Sequence, residues 1–269
     1  MSFLTERRRK MSSVTNRIKE IKQPRGGYVK PSAFTVTDLK DDKTLNENEN
    51  IHASIIGMAV DYMTRFITGA DVTEAFKISI IGATLAKQLT GADKTKELEG
   101  YLKNIKGLDD ISIINACKAV TFDVWYRSPM GAMLAKGAAD INPDKDTIEN
   151  IQILITRSVS FWQHFGPVIA DGFTFEENGY TKTVDAGDGD FLTEDTLWDF
   201  KVSKSAPKSA HTLQLLMYYI MGKHSGKPIF EKIEKVGIFN PRLNKIYLLD
   251  VKTVPEDVIK AIEKDVICY

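Results

Sequence analysis

The sequence predicts an α/β chain in which a largely helical N-terminal half precedes a mixed β-sheet flanked by helices. Three observations carry this. Apolar residues recur at helical spacing from Ile51 to about Phe165. The spacing switches to two after Gly166-Pro167, and one helical stretch, Ala210–Met221, separates the strand-like runs into two groups. The expected organisation is a basic and polar arm over residues 1–50, then one domain over 51–269, helical in 51–166 and α/β in 167–269.

In the arm, Pro24, Gly26, Gly27 and Pro31 break helices, Asp41–Asn50 is strongly polar, and residues 11–22 offer a short helix capped by Ser12 or Ser13. Ala53–Thr68 places Ile55, Ile56, Ala59, Val60, Met63 and Ile67 on one stripe, and Gly69 ends it. Val72–Leu89 repeats the pattern behind a cap at Asp71 or Thr73; Lys94–Ile105, Ile111–Trp125 and Thr147–Phe165 follow, with a break at Ser128–Gly131. Beyond Pro167, Phe173–Glu176 and Tyr180–Val184 flank Asn178-Gly179, which predicts a hairpin. Val236–Phe239 and Lys245–Val251 are two further strands, and Glu256–Lys264 is a closing helix.

Bulk properties narrow the function. Formal net charge is zero, so the whole surface is not an electrostatic glove for nucleic acid, although charge is segregated. Within about the first 35 residues Arg7, Arg8, Arg9, Lys10, Arg17, Lys19, Lys22, Arg25 and Lys30 face only Glu6 and Glu20. Two cysteines, Cys117 and Cys268, are too few for a four-cysteine zinc site or an iron–sulfur cluster, and fit a reducing cytoplasm. Met1–Leu4 is too short an apolar opening for a secretory leader, and no apolar run approaches the ~20 residues that span a bilayer.

The chemistry concentrates in Gly187–Lys201. Leu192 and Leu197 flank a polar turn, and a turn centred on Glu194-Asp195 sets Asp190 opposite Asp199. Cβ atoms so paired lie about 5 Å apart and like charges there repel. Period-two geometry puts Lys201 on the face of Asp199. Two carboxylates held together require a cation, which the lysine supplies in part and a divalent metal supplies more fully, an arrangement suited to metal-assisted phosphodiester hydrolysis.

The order of these parts resembles the RecB-like branch of the PD-(D/E)XK nuclease superfamily. Gly187 and Asp190 form a Gly-x-x-Asp strand; a hairpin leads to Asp199-Phe200-Lys201, an Asp-x-Lys at a strand end; Gln214 and Tyr218 form Gln-x-x-x-Tyr on the next helix. The resemblance covers residues 180–250 and implies a restriction-endonuclease-like core. It implies that Asp190, Asp199 and the Phe200 carbonyl hold Mg²⁺ or Mn²⁺, oxygen ligands of the kind these cations take. It implies that Lys201 orients or activates the attacking water and steadies the developing charge. Gln214 and Tyr218 would line the bound strand, Lys204 and Lys208 would meet backbone phosphates, and His52 would be the branch's metal-binding histidine. Several members carry an iron–sulfur staple; this chain, lacking the cysteines, is expected to be cluster-free. The expected activity is a DNA nuclease, an exonuclease sooner than an endonuclease, with RNA left open and a recombination, phage or defence protein as a further partner.

Other acids and histidines in the sequence offer competing sites. Asp41-Asp42-Lys43 lies in the polar linker, and Asp250-Val251-Lys252 ends a strand but has no Gln-x-x-x-Tyr helix after it. Asp188 competes with Asp190, Glu176 is a further acid, His164 sits among aromatics, and His211 is a phosphate contact or a cap. The alternative function is a nucleic-acid- or protein-binding module on a retired nuclease scaffold.

Overall fold

The structure, a computed structural model, describes residues 12–269. Arg7, Arg8, Arg9 and Lys10 of the expected basic arm lie outside the described residues. The chain divides into two units: a helical one, Lys40–Gln163, and a sheet unit built from the segment ending at Leu39 together with His164–Tyr269.

The N-terminal piece of the sheet unit contains β1 (Ser12–Ser13), α1 (Val14–Glu20) and β2 (Thr35–Asp38). Residues 40–163 follow with α2 (Ala53–Ile67), α3 (Val72–Ala75), α4 (Lys77–Thr90), α5 (Lys94–Leu102), α6 (Asp110–Ala119), α7 (Asp123–Arg127) and α8 (Pro129–Ala132); α9 is Lys145–Phe165. The chain returns to the sheet unit with β3 (Ala170–Phe173), β4 (Val184–Ala186), β5 (Gly189–Leu192), β6 (Thr196–Phe200), α10 (Ser209–Ser225), β7 (Lys235–Asn240), β8 (Lys245–Asp250) and α11 (Glu256–Ala261).

Six strands form one mixed sheet in the order β2-β8-β7-β6-β5-β3. All neighbours are antiparallel except β6 and β7. Parallel neighbours need a long crossover, and α10 provides it. Its apolar residues Leu213, Leu216 and Met217 join Leu192, Leu197, Val236 and Ile238 in one buried cluster. Trp198, of opposite parity to Leu197, faces away from that cluster, stacks on Phe191 with ring planes 16° apart, and donates from Nε1 to Thr193 Oγ1 at 3.0 Å. Gly237 is obligatory beside it, because a Cβ there would lie 2.4 Å from the Trp198 ring.

Residues 12–39 are not a detached arm. Ser13 caps α1, Arg17 donates to the Val266 and Asp265 carbonyls at 2.8 and 3.0 Å, and β2 is an edge strand of the sheet. Composition suggested solvation because basic residues dominate, yet Val14, Val29 and Phe34 are buried and anchor the segment.

The hairpin expected over 173–184 does not form. β3 pairs with β5, and β4 pairs in parallel with β1. Between them Phe175 is buried between the Tyr218 and Phe230 rings, while the Tyr180 hydroxyl donates to the Gly187 carbonyl at 2.6 Å. The core demand of Phe175 overrides the local Asn-Gly turn signal.

In the helical unit Phe76, fully buried and edge-on to Tyr62, interrupts the single helix expected over 72–89. Asp71 is the cap, accepting from the Thr73 N–H at 2.8 Å. Asp123 is buried and accepts from Tyr62 and Ser79 at 2.5 and 2.6 Å, tying α7 to α2 and α4; burial pushes its carboxyl up.

The polar stretch 40–50 is stapled to α9. Asn150 and Asn46 exchange two hydrogen bonds at 2.7 and 3.0 Å, and Arg157 grips both Asp41 oxygens at 2.6 and 2.8 Å. The Arg157 guanidinium holds the Asp41 carboxyl below its ordinary value of 3.8. A carboxyl whose folded value is depressed stabilises above its unfolded value, and the gain is lost as pH falls through the folded one. Arg157→Met should therefore destabilise the helical unit by about 1 kcal/mol at pH 7. The difference from wild type should close as pH falls below 3.8, read from paired urea titrations. No helix among the described residues is long and apolar enough to cross a membrane.

Candidate active site

The β5–β6 hairpin supplies the first half of the site. Thr193 N–H bonds to the Thr196 carbonyl at 3.0 Å, so Glu194 and Asp195 are the turn centre. The register pairs Leu192 with Leu197 and Phe191 with Trp198. Continued one step further, that register would set Asp190 across from Asp199. There the backbone ladder gives way: the Phe200 N–H donates to Asp190 Oδ2 at 2.6 Å. A carboxylate thus takes the place of a strand carbonyl and is held at the sheet's opening end.

Asp199 shares the parity of Leu197, so it points to the side covered by α10. Its residue is only 2% exposed. Oδ1 accepts from Lys201 Nζ at 2.9 Å, while Oδ2 is buried without a hydrogen-bond partner. Buried carboxylate oxygens are costly unless something compensates them. Burial alone would pull the Lys201 ammonium down; Asp199 and then Asp190 outweigh it, and the net shift is upward. Both acids and the amine therefore occupy one place on one side of the sheet. Asp190 and Lys201 are half-buried and Lys204 and Lys208 exposed, so this place opens to solvent.

The second half comes from α10. Gln214 Nε2 donates to the Tyr218 hydroxyl at 3.0 Å, as residues four apart on a helix can. Burial pushes the Tyr218 phenol up; the Gln214 hydrogen bond opposes this, and Asp199, Asp190 and Asp188 add to it. α10 packs on β6, and Tyr218 shares one buried cluster with Leu192 and Leu197 of the hairpin.

His211 is the residue that sequence reasoning undervalued. It lies three before Gln214 and seven before Tyr218, on the same stripe of α10. Its Nδ1 accepts from the Lys208 N–H at 3.2 Å, so it does cap the helix. Burial lowers its basicity, as does Lys201, while Asp199 opposes. The i, i+3, i+7 spacing was the available signal.

Asp188 stays within electrostatic reach of Tyr218, while the remaining candidates have surroundings of their own. Asp188 and Glu176 are exposed, and Glu176 accepts from its neighbour Thr174 at 2.5 Å. Asp250 caps the turn that follows β8 by accepting from the Lys252 N–H, while Lys252 reaches Glu234 at 2.8 Å, so Asp250-Val251-Lys252 assembles no acid pair. Asp41 is taken by Arg157. His164 is exposed at the end of α9. His52 belongs to the helical unit, where its Nδ1 accepts from the Ser54 N–H at 3.2 Å and caps α2. It lines a cavity of about 570 Å³ within that unit, together with Ile55, Met58, Val124 and Arg127. None of Asp190, Asp199, Lys201, Gln214 or Tyr218 lines that cavity.

The oxygens that the hairpin brings together beside Lys201 are those of two carboxylates. Hard oxygens with one uncompensated buried lone pair fit Mg²⁺ or Mn²⁺ kept partly hydrated. Among the described residues no group of three or more His, Cys, Asp or Glu comes together as a metal cage. No family model matches the chain, and no curated protein or solved structure is significantly similar to it.

Proposed function

We propose that this chain is a metal-dependent nuclease that hydrolyses DNA phosphodiester bonds, an exonuclease in preference to an endonuclease, on a restriction-endonuclease-like core. The observation that carries the reading is Asp199 Oδ2, buried and unpartnered beside Asp190 and Lys201. A protein that kept this pair for stability alone would satisfy that oxygen. The order strand, hairpin, Asp-x-Lys strand, Gln-x-x-x-Tyr helix supports the same reading.

Asp190, Asp199 and the Phe200 carbonyl would hold Mg²⁺ or Mn²⁺, which when bound neutralises the acids and polarises the scissile phosphate. Asp190 is kept in place by the Phe200 N–H and Asp199 by Lys201. Lys201, its amine beside the acids, orients the attacking water and offsets charge gathering on the phosphate. The Gln214–Tyr218 pair lines the groove with donors for the strand, and Lys204 and Lys208 at the helix entrance offer charge to its backbone. Two free thiols, one buried and one exposed, accord with a reducing cytoplasm.

A second reading has an observation of its own. Asp199 is almost wholly shielded and only two acids meet, as in a scaffold retained for binding. End-labelled linear and circular DNA, single- and double-stranded, incubated with Mn²⁺ or Mg²⁺ separates the two. The nuclease reading expects metal-dependent loss of linear substrate, abolished by EDTA. Intact substrate under all conditions, with no metal-induced gain in melting temperature, leaves only the binding module.

A further inference from the structure

We propose that His211 is a further substrate-contacting residue of this site, donating a hydrogen bond from Nε2 to a non-bridging oxygen of the phosphate held at the acid pair. The inference rests on the nuclease reading and adds a group that the Asp-x-Lys and Gln-x-x-x-Tyr pattern does not contain.

The argument is one of tautomer and direction. The Lys208 N–H donates to Nδ1 at 3.2 Å, so that nitrogen is an acceptor and the neutral ring carries its proton on Nε2. Among the described residues Nε2 has no hydrogen-bond partner, and the ring is half-buried. A half-buried donor without a partner, at the rim of a site built for an anion, is an unused contact. Its position supports the same target. His211, Gln214 and Tyr218 fall on one stripe of α10, and α10 packs on β6, the strand that bears Asp199. The charges of Lys201 and Asp199 both bear on the ring, in keeping with its place on that stripe. A phosphate between them would take charge from Lys201 and a directed neutral donor from His211.

A purely structural role makes a different prediction. If His211 only caps α10, what matters is the acceptor at Nδ1, and asparagine, whose amide oxygen matches that position, should replace it. If the Nε2 donor matters, glutamine, whose amide nitrogen matches Nε2, should replace it and asparagine should not.

The test uses the full chain with end-labelled linear DNA and Mn²⁺, comparing wild type with His211→Ala, His211→Asn and His211→Gln. Single-turnover rates, Mn²⁺ affinity by titration and melting temperature are measured for each. The expected result is a rate loss of about ten- to a hundredfold for His211→Ala and His211→Asn, recovered to within about fivefold in His211→Gln. Mn²⁺ affinity should stay within about twofold throughout, because the ring is not a metal ligand. A fully active His211→Ala, or rescue by asparagine and not glutamine, overturns the inference while leaving the nuclease reading intact. A wild-type chain that cuts nothing overturns both.

Discussion

Asp199→Asn should abolish metal-dependent digestion and, at the same time, make the metal-free protein more stable. The first effect should be about a thousandfold or more. Losing a charged oxygen ligand removes several kcal/mol of transition-state stabilisation, and each 1.4 kcal/mol or so is tenfold. The second follows from the geometry. Asp199 lies beside a second carboxylate, and its Oδ2 is buried without a hydrogen-bond partner. The amide keeps an oxygen for the Lys201 ammonium and removes one negative charge from beside Asp190. Relief of one unsatisfied buried charge is worth about 1 kcal/mol after relaxation. For a unit of this size that is a rise of about 2–4 °C in melting temperature without metal. Wild type should overtake the variant once Mn²⁺ is added, since binding at a hundred times Kd contributes about 2.7 kcal/mol. The crossing of the two melting curves on a metal titration is the signature. A variant that is less stable than wild type without metal, or that still cuts, removes the ground for placing a cation between these acids.

The second large effect is expected for Lys201→Met, and its sign is opposite. Methionine retains the packing of the stem and deletes the amine that lies 2.9 Å from Asp199. Asp199 then loses the ammonium that its Oδ1 accepts from. Breaking a fully buried pair costs about 3–5 kcal/mol. The Lys201 side chain is 27% exposed, so about 2 kcal/mol is the better expectation here. Digestion should fall by at least a hundredfold or so, because the water-orienting amine is lost. The distinguishing observation is rescue of stability without rescue of activity. Mn²⁺ should raise the melting temperature of the variant more than that of wild type, since the ion replaces the missing charge. An unchanged melting temperature in both states would mean that the amine adds little to the hairpin and that no ion takes its place, as the binding-module alternative expects.

Much of the site was legible because the hairpin is local. The Glu194-Asp195 turn and the alternation of Leu192, Leu197 and Asp199 determine register within fifteen residues, and register decides which side chains meet. Gln214 and Tyr218 were legible for the same reason, since helical periodicity alone joins them. His211 was legible only in part. Its spacing was present, but its orientation depends on the Lys208 N–H, a contact of the loop that closes onto α10. The Asn178-Gly179 hairpin was misread because its strands have stronger partners elsewhere: Phe173 enters β3 beside β5, and Phe175 is claimed by aromatic rings.

Periodicity, turn chemistry and charge placement along the sequence determined most of the helices, the succession β5, β6, α10, β7, β8 and the β5–β6 register. Those are interactions between residues a few positions apart, and their geometry follows from the backbone. Only the tertiary structure decided that residues 12–39 complete the sheet, that 40–50 is stapled to α9, and that Asp199 Oδ2 is left buried and unpaired. Each depends on which distant surfaces compete for the same apolar area and hydrogen bonds, and that competition has no period to read.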